Sequence, residues 1–142
     1  MREALLAVGV LALAACGNQA AAGTDTVQVG QASFTVQVAD DPAERERGLS
    51  GRAQLPSGTG LLFTYPDAAP RAYWMPDMNF SIDLAWIADG RVLGVQTLAP
   101  CVSGTRCQRY PSPGAVDSVL EVPAGALAGT APGTPVTVGA SR

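Results

Sequence analysis

Two carboxylates lie inside the most aromatic part of this chain. They are Asp77 and Asp83, within Ala72-Tyr73-Trp74-Met75-Pro76-Asp77-Met78-Asn79-Phe80-Ser81-Ile82-Asp83-Leu84-Ala85-Trp86-Ile87. A carboxyl pair beside indole rings suits general acid–base work, because apolar surroundings keep one acid protonated while the other ionises. On a glycan, such a pair would protonate the leaving oxygen and activate or replace the attacking water. The structural alternative has Asp77 capping the turn after Pro76, with Asp83 in solvent or paired with an arginine. Strand alternation sets Asp83 on the face opposite Trp86, which favours the structural account. Arg52 is the expected partner of Asp83, since a guanidinium forks onto a carboxylate through two hydrogen bonds. Trp74 and Met75 offer another use, as the lining of a groove for a sugar or a flat ligand, with Trp86 in the core and Trp74 at the rim. The candidate binding residues are therefore Arg52, Trp74, Met75, Asp77 and Asp83. Asp77 and Asp83 are the catalytic candidates if the protein is an enzyme.

What the chain lacks narrows the chemistry further. It contains no histidine, and all of its 9 basic residues are arginines. That removes the usual general base, the commonest zinc ligand and Schiff-base lysines. Ser50, Ser57, Ser81 and Ser103 have no histidine or lysine to activate them, so a serine nucleophile is excluded. No metal and no cofactor is expected. A net charge of -3 supplies no basic surface to neutralise phosphates, which argues against nucleic acid as a partner.

The N-terminus carries an export pattern. Met1-Arg2-Glu3 leads into the apolar run Ala4–Ala15, which is too short to span a bilayer and suits a signal-peptide core. It closes with Leu13-Ala14-Ala15-Cys16, which looks like a bacterial lipobox. Residues 1–15 then form a lipoprotein signal peptide, Cys16 receives the lipid, and 16–25 is a small-residue tether. The remaining 26–142 form one β-rich domain, and the lipid would hold it to a membrane outside the cytoplasm, facing the periplasm or the cell surface. With Cys16 lipidated, Cys101 and Cys107 remain as an even pair in an exported protein, and a disulfide is expected between them.

Period-two alternation over Thr26–Val29 and Phe34–Val38 predicts two strands joined at Gly30-Gln31. Asp41-Pro42-Ala43-Glu44 is a helix start, with Gly48 and Ser50-Gly51 as the stop. Arg45 and Arg47 on that helix are expected in solvent or against a carboxylate. Gly60–Tyr65 reads as a strand ended by Pro66, Arg71–Met75 as another, and Ser81–Ala88 with Arg91–Leu98 as a hairpin about Asp89-Gly90. Ala99–Pro113 reads as a loop, Val116–Val122 and Pro135–Val138 as the last strands. The predicted fold class is mainly β, a β-sandwich-like arrangement or a partly closed barrel, with one short α-helix near its start.

Three stretches, taken together, resemble a known family: Glu44-Arg-Glu-Arg-Gly-Leu49 with Arg52; Leu55-Pro56 through Gly60-Leu-Leu-Phe63; and Tyr73-Trp-Met75 through Ile82-Asp-Leu84. With Pro100-Cys101 and Leu120-Glu-Val-Pro-Ala-Gly125, their order is similar to the domain of unknown function 192 family over most of Val27–Val138. The resemblance implies a compact β-sandwich-like domain, often exported, and no established activity. The chain departs from the family after Trp74-Met75, where Pro76, Asp77 and Met78 replace the usual lysine, asparagine and threonine. The leading functional reading is a non-catalytic, lipid-anchored binding or accessory module of the cell envelope that engages a small molecule, a glycan or an envelope protein. The alternatives are a carboxylate-dependent enzyme acting on a glycan and a purely structural envelope protein.

Overall fold

A computed structural model describes residues 24–102 and 104–140. The expected signal peptide 1–15, the lipid site Cys16, most of the tether and Ser103 lie outside the described residues.

β1 (Thr24–Val29) and β2 (Ala32–Ala39) form the first hairpin, turning on Gly30 at φ 56°. β1 starts at Thr24, so the end of the expected tether is already strand. Val27, Val29, Phe34 and Val36 are buried while Thr26, Gln28, Ser33 and Thr35 are exposed, as alternation requires. α1 (Pro42–Arg47) follows, and Asp41 accepts from the Glu44 amide at 2.8 Å. Glu44 reaches back to the Asp40 amide at 3.2 Å. Gly48, at φ 50°, ends the helix in a backbone conformation that other residues adopt only with strain.

β3 (Thr59–Ala69) runs parallel to β2 and continues past Pro66, where the sequence predicts its end. Pro66 lacks an N–H, and it falls where the ladder with β8 is interrupted between Thr64 and Ala69, so no bond is lost. The strand expected at Arg71–Met75 contracts to β4 (Ala72–Tyr73). β5 (Ile82–Ala88) and β6 (Arg91–Leu98) make the hairpin about Asp89-Gly90. Part of the expected loop 99–113 is β7 (Tyr110–Pro111), which pairs with β4 as a small second sheet. β8 (Val116–Pro123) and β9 (Val136–Ala140) complete the chain.

The main sheet has seven strands in the order β6-β5-β8-β3-β2-β1-β9. It curls until its two ends meet. The Val92 amide donates to the Thr134 carbonyl at 3.0 Å, the Gly133 amide to the Val92 carbonyl at 2.7 Å, and the Val136 amide to the Gly90 carbonyl at 2.8 Å. Of the two architectures expected, the partly closed barrel is the one found. Its inner core joins Val27, Val29, Phe34, Val36, Leu62, Ala85, Ile87, Leu120 and Val122.

β3, β5 and β8 are apolar on their outer face as well. Leu61, Phe63, Leu84, Trp86 and Val119 point outward and are covered by Leu49, Met75, Leu98 and the small second sheet. Trp86 is 1% exposed, in the core as expected, and its indole N–H donates to Gln96 at 3.0 Å.

Asp83 corrects one expectation. It neither faces solvent nor pairs with Arg52. It is 2% exposed, and accepts from Thr97 Oγ1 at 2.7 Å and from the Leu127 amide at 2.9 Å. The carboxylate therefore ties the turn after β8 to the barrel, because a buried charge is tolerated only where it is hydrogen-bonded. Asp83→Ala leaves the Leu127 amide buried without an acceptor, and we expect it to cost about 3 kcal/mol of stability. Urea denaturation checks this, and a loss under about 1 kcal/mol would show that the turn is held some other way.

Candidate functional site

The site begins with a row of side chains running across the outer face of the sheet. Strand register places Leu84 of β5, Glu121 of β8, Leu61 of β3 and Gln37 of β2 side by side. An acid stands in that row with a leucine on either side, and Glu121 is 6% exposed. The strands pack tightly here. A methyl added at Gly60 would stand 2.6 Å from the Glu121 carbonyl oxygen, so only glycine fits on β3. Among the described residues, no hydrogen bond reaches the Glu121 carboxyl group. Burial pushes its pKa up to about 8 against the opposing pull of the Arg52 guanidinium, so the acid is mostly protonated at neutral pH.

Above Glu121 the cover is incomplete, and a cleft of about 490 Å³ opens between α1, β3, β4 and the Trp74–Met78 ledge. Glu121 lies at its floor. Leu49, Phe63 and Met75 give it apolar walls, and Trp74, Asp77, Arg47 and Glu46 stand around the mouth. One side carries two hydroxyls, Tyr65 and Tyr73, 2.7 Å apart. Burial first, then the bond to Tyr65 and the neighbouring charges, raises the Tyr73 hydroxyl far above the usual tyrosine range, so it keeps its proton. Tyr73 also meets Phe63 and Trp86 edge-on, at 5.1 and 5.5 Å between ring centroids.

Near the cleft, Arg45 and Arg52 are held by oxygens other than carboxylates. Arg45 donates to the Asp40 and Thr64 carbonyls and lies 5.0 Å from the Tyr65 ring centre, which corrects the expectation of solvent or a carboxylate. Arg71 stacks on the same ring at 3.4 Å. Arg52 donates to Gln37 Oε1 at 2.6 Å, on the face of the sheet that carries Glu121 and away from Asp83. Backbone bonds fix the ledge. Gly51 donates to the Asp77 carbonyl at 2.9 Å, Ser50 Oγ to the Pro76 carbonyl at 3.1 Å, and Asn79 Nδ2 to the Arg52 carbonyl at 2.7 Å. Asp77 sits there at φ 54°, the left-handed region that aspartate tolerates better than most residues.

Three of the five residues singled out from sequence thus line one cleft: Trp74, Met75 and Asp77. Trp74 is 51% exposed at the rim, with Arg109 4.9 Å from its ring centre, while Met75 is buried beneath it. Arg52 stands beside the floor. Asp83 is on the barrel side of the sheet, so Asp77 and Asp83 do not meet as a carboxylate pair. Cys101 and Cys107 are disulfide-bonded with Cα atoms 5.3 Å apart, and they border a second cleft of about 510 Å³ beyond the same ledge. Sequence reasoning missed Glu121, Tyr65, Tyr73 and Arg45. Only Glu121 left a signal, as a lone acid within Val119-Leu120-Glu121-Val122.

The DUF192 family model, described as Uncharacterized ACR, matches residues 25–138. The chain belongs to this family. DUF192 carries no assigned activity, and no curated protein matches the chain. Two of the solved structures that resemble it share its fold over most of its length. A "putative transcription regulator" from Sinorhizobium meliloti 1021 is 28% identical, with a TM-score of 0.73 over 81% of this chain and 93% of that one. A protein of unknown function from Novosphingobium aromaticivorans DSM 12444 is 27% identical, with a TM-score of 0.68 over 80% of this chain and 83% of that one.

The buried acid gives this DUF192 domain a pH signature. Glu121 is a weaker acid folded than unfolded, so ionising it opposes folding. Its contribution is complete below the ordinary value of 4.5 and is lost as pH rises through about 8. From about pH 5 to about pH 9 the native chain should lose about 4 kcal/mol of stability that Glu121→Gln retains. Paired urea melts across that range measure it, and parallel curves for the two proteins would rule out a buried titrating Glu121.

Proposed function

We propose that the domain is a non-catalytic binding module that holds a small ligand in the cleft above Glu121, displayed from a membrane through a lipid on Cys16. The observation that carries the reading is the cleft itself. It joins apolar walls, a rim tryptophan and a buried acid that no hydrogen bond reaches among the described residues, the combination expected of a small-molecule site. The residues around it supply hydrogen bonds and charge. Among those described they include no nucleophile activated by a neighbouring base, which favours binding over turnover. The Cys101–Cys107 disulfide supports an oxidising compartment, in keeping with the export pattern of 1–15. The regulator description of the Sinorhizobium meliloti protein finds no support in the charge of this chain, which is -3.

A thermal-shift screen tests the binding reading, using cell-wall fragments, oligosaccharides, nucleotides, divalent metals and small organic acids. At least one compound should raise the melting temperature of the native protein and leave Trp74→Ala unmoved, because only ligands of the folded state stabilise it. A silent panel would shift the function to a protein partner or to structure. The anchor is tested separately by metabolic labelling with a radioactive fatty acid. Label should enter the wild-type chain and be lost in Cys16→Ser; label retained in the variant would remove the anchor from the reading.

A further inference from the structure

The cleft also carries information about what fills it, an inference that rests on the binding reading above. Two features define its chemistry. The first is the donor set at the floor. Glu121 is nine-tenths buried and faces the cleft, and among the described residues no hydrogen bond reaches its carboxyl group. Beside it the Tyr65 and Tyr73 hydroxyls share one proton between them and leave the other free to donate. The second is the charge that acts on that floor. Arg45 and Arg47 share the cleft lining with Glu46 and Asp77, while the charge that acts on Glu121 itself is the Arg52 guanidinium, which among the described residues makes no ion pair.

These features decide against the other ligand classes. A cation would find the aromatic faces taken, since Arg45 and Arg71 lie on Tyr65 and Arg109 lies on Trp74. A neutral polyol would gain nothing from the charge of Arg52 at the floor and would leave the apolar walls without a counterpart. A phosphate dianion calls for more donors than the floor provides, where one carboxyl and one hydroxyl proton are free. A single carboxylate matches the number of donors at the floor and the positive charge of Arg52 that acts there, and the apolar walls call for a hydrophobic body behind it.

We propose that the cleft takes an organic carboxylate with an apolar body, its oxygens received by the Glu121 carboxyl and the Tyr65–Tyr73 hydroxyl pair, its body laid against Leu49, Phe63 and Met75 beneath Trp74. An acid-to-carboxylate hydrogen bond of this kind is charge-assisted, hence short and strong. It exists only while Glu121 holds its proton, so affinity falls as that proton leaves. The charged and titratable groups facing Glu121 are Arg45, Glu46 and Arg47 from α1, Arg52 from the loop after it, Tyr65 from β3, Tyr73 from β4 and Asp77 from the ledge. Glu121→Gln separates the titration of Glu121 from all of these, because the amide still donates and never ionises.

The test is calorimetric titration of the full-length chain with indole-3-acetate and, as the uncharged match, indole-3-acetamide. The acetate should bind at about pH 7, and about tenfold more weakly at about pH 9, as the protonated fraction of an acid with pKa near 8 falls by that factor. The acetamide should bind at least about tenfold more weakly than the acetate, the loss expected when a charge-assisted bond becomes a neutral one. Glu121→Gln should bind the acetate equally at both pH values. Equal binding of acetate and acetamide, or the same pH loss in Glu121→Gln, would overturn the carboxylate assignment and leave the cleft a binding site. Failure of both probes would overturn the assignment as well. The binding reading would then stand or fall on whether another compound of the screen raises the melting temperature in a Trp74-dependent way.

Discussion

Everything distinctive about this fold follows from three neighbouring strands that are apolar on both faces. A curled sheet needs one buried face, and the barrel interior supplies it for β3, β5 and β8 through Leu62, Ala85, Ile87, Leu120 and Val122. The same strands carry Leu61, Phe63, Leu84, Trp86 and Val119 outward. That second apolar surface must be shielded from water, at about 25 cal/mol per Å² of exposed area. The chain therefore devotes its irregular parts to a cover made of α1, the loop after it, the ledge 74–79 and the β4–β7 pair. The cleft is the place where this cover does not close, and among the described residues Glu121 is the one acid buried in the surface beneath.

The sequence made the barrel strands legible because their signals are local. Gly30-Gln31 and Asp89-Gly90 mark the two hairpins, Asp41-Pro42 starts the helix, and alternation in Ile82–Ile87 separates Trp86 from Asp83 correctly. The site was legible only at the ledge, where tryptophan, methionine and aspartate stand together in the chain. Its floor is assembled across strands: the row Leu84, Glu121, Leu61, Gln37 draws on four separate segments, and register between distant strands leaves no trace in any one of them. Arg52 shows the same limit. A carboxylate partner was the reasonable expectation, yet Gln37 holds it, because Gln37 stands in the outer row with Glu121 while Asp83 lies through the sheet. Pro66 failed as a strand stop for a different reason, since a bulge removes the need for its missing donor.

The cover is held more by specific bonds than by apolar volume. Loop 50–52 is stitched to the ledge through the carbonyls of Pro76, Asp77 and Arg52, and the Cys101 amide ties the next loop to the Met75 carbonyl at 3.1 Å. The disulfide then closes that loop on itself. Arginine is the only basic side chain available, and the structure uses its flat cation against rings, at Tyr65 and Trp74, where a lysine ammonium would bring a compact charge and no plane to stack. Rigid walls around an open cleft result, which preserves the position of the buried acid relative to the tyrosine pair.

β1 is flanked on both sides, by β2 and by β9, and both ladders are antiparallel. Hydrogen bonds in such ladders lie perpendicular to the strands. A force pulling on the residues before Thr24, along the direction of β1, would load these bonds together in shear and could not open them one at a time. The domain is thus mechanically strongest along the line by which its first strand enters the sheet. Drag or tension transmitted through the N-terminal segment would meet a locked strand before it reached the cleft.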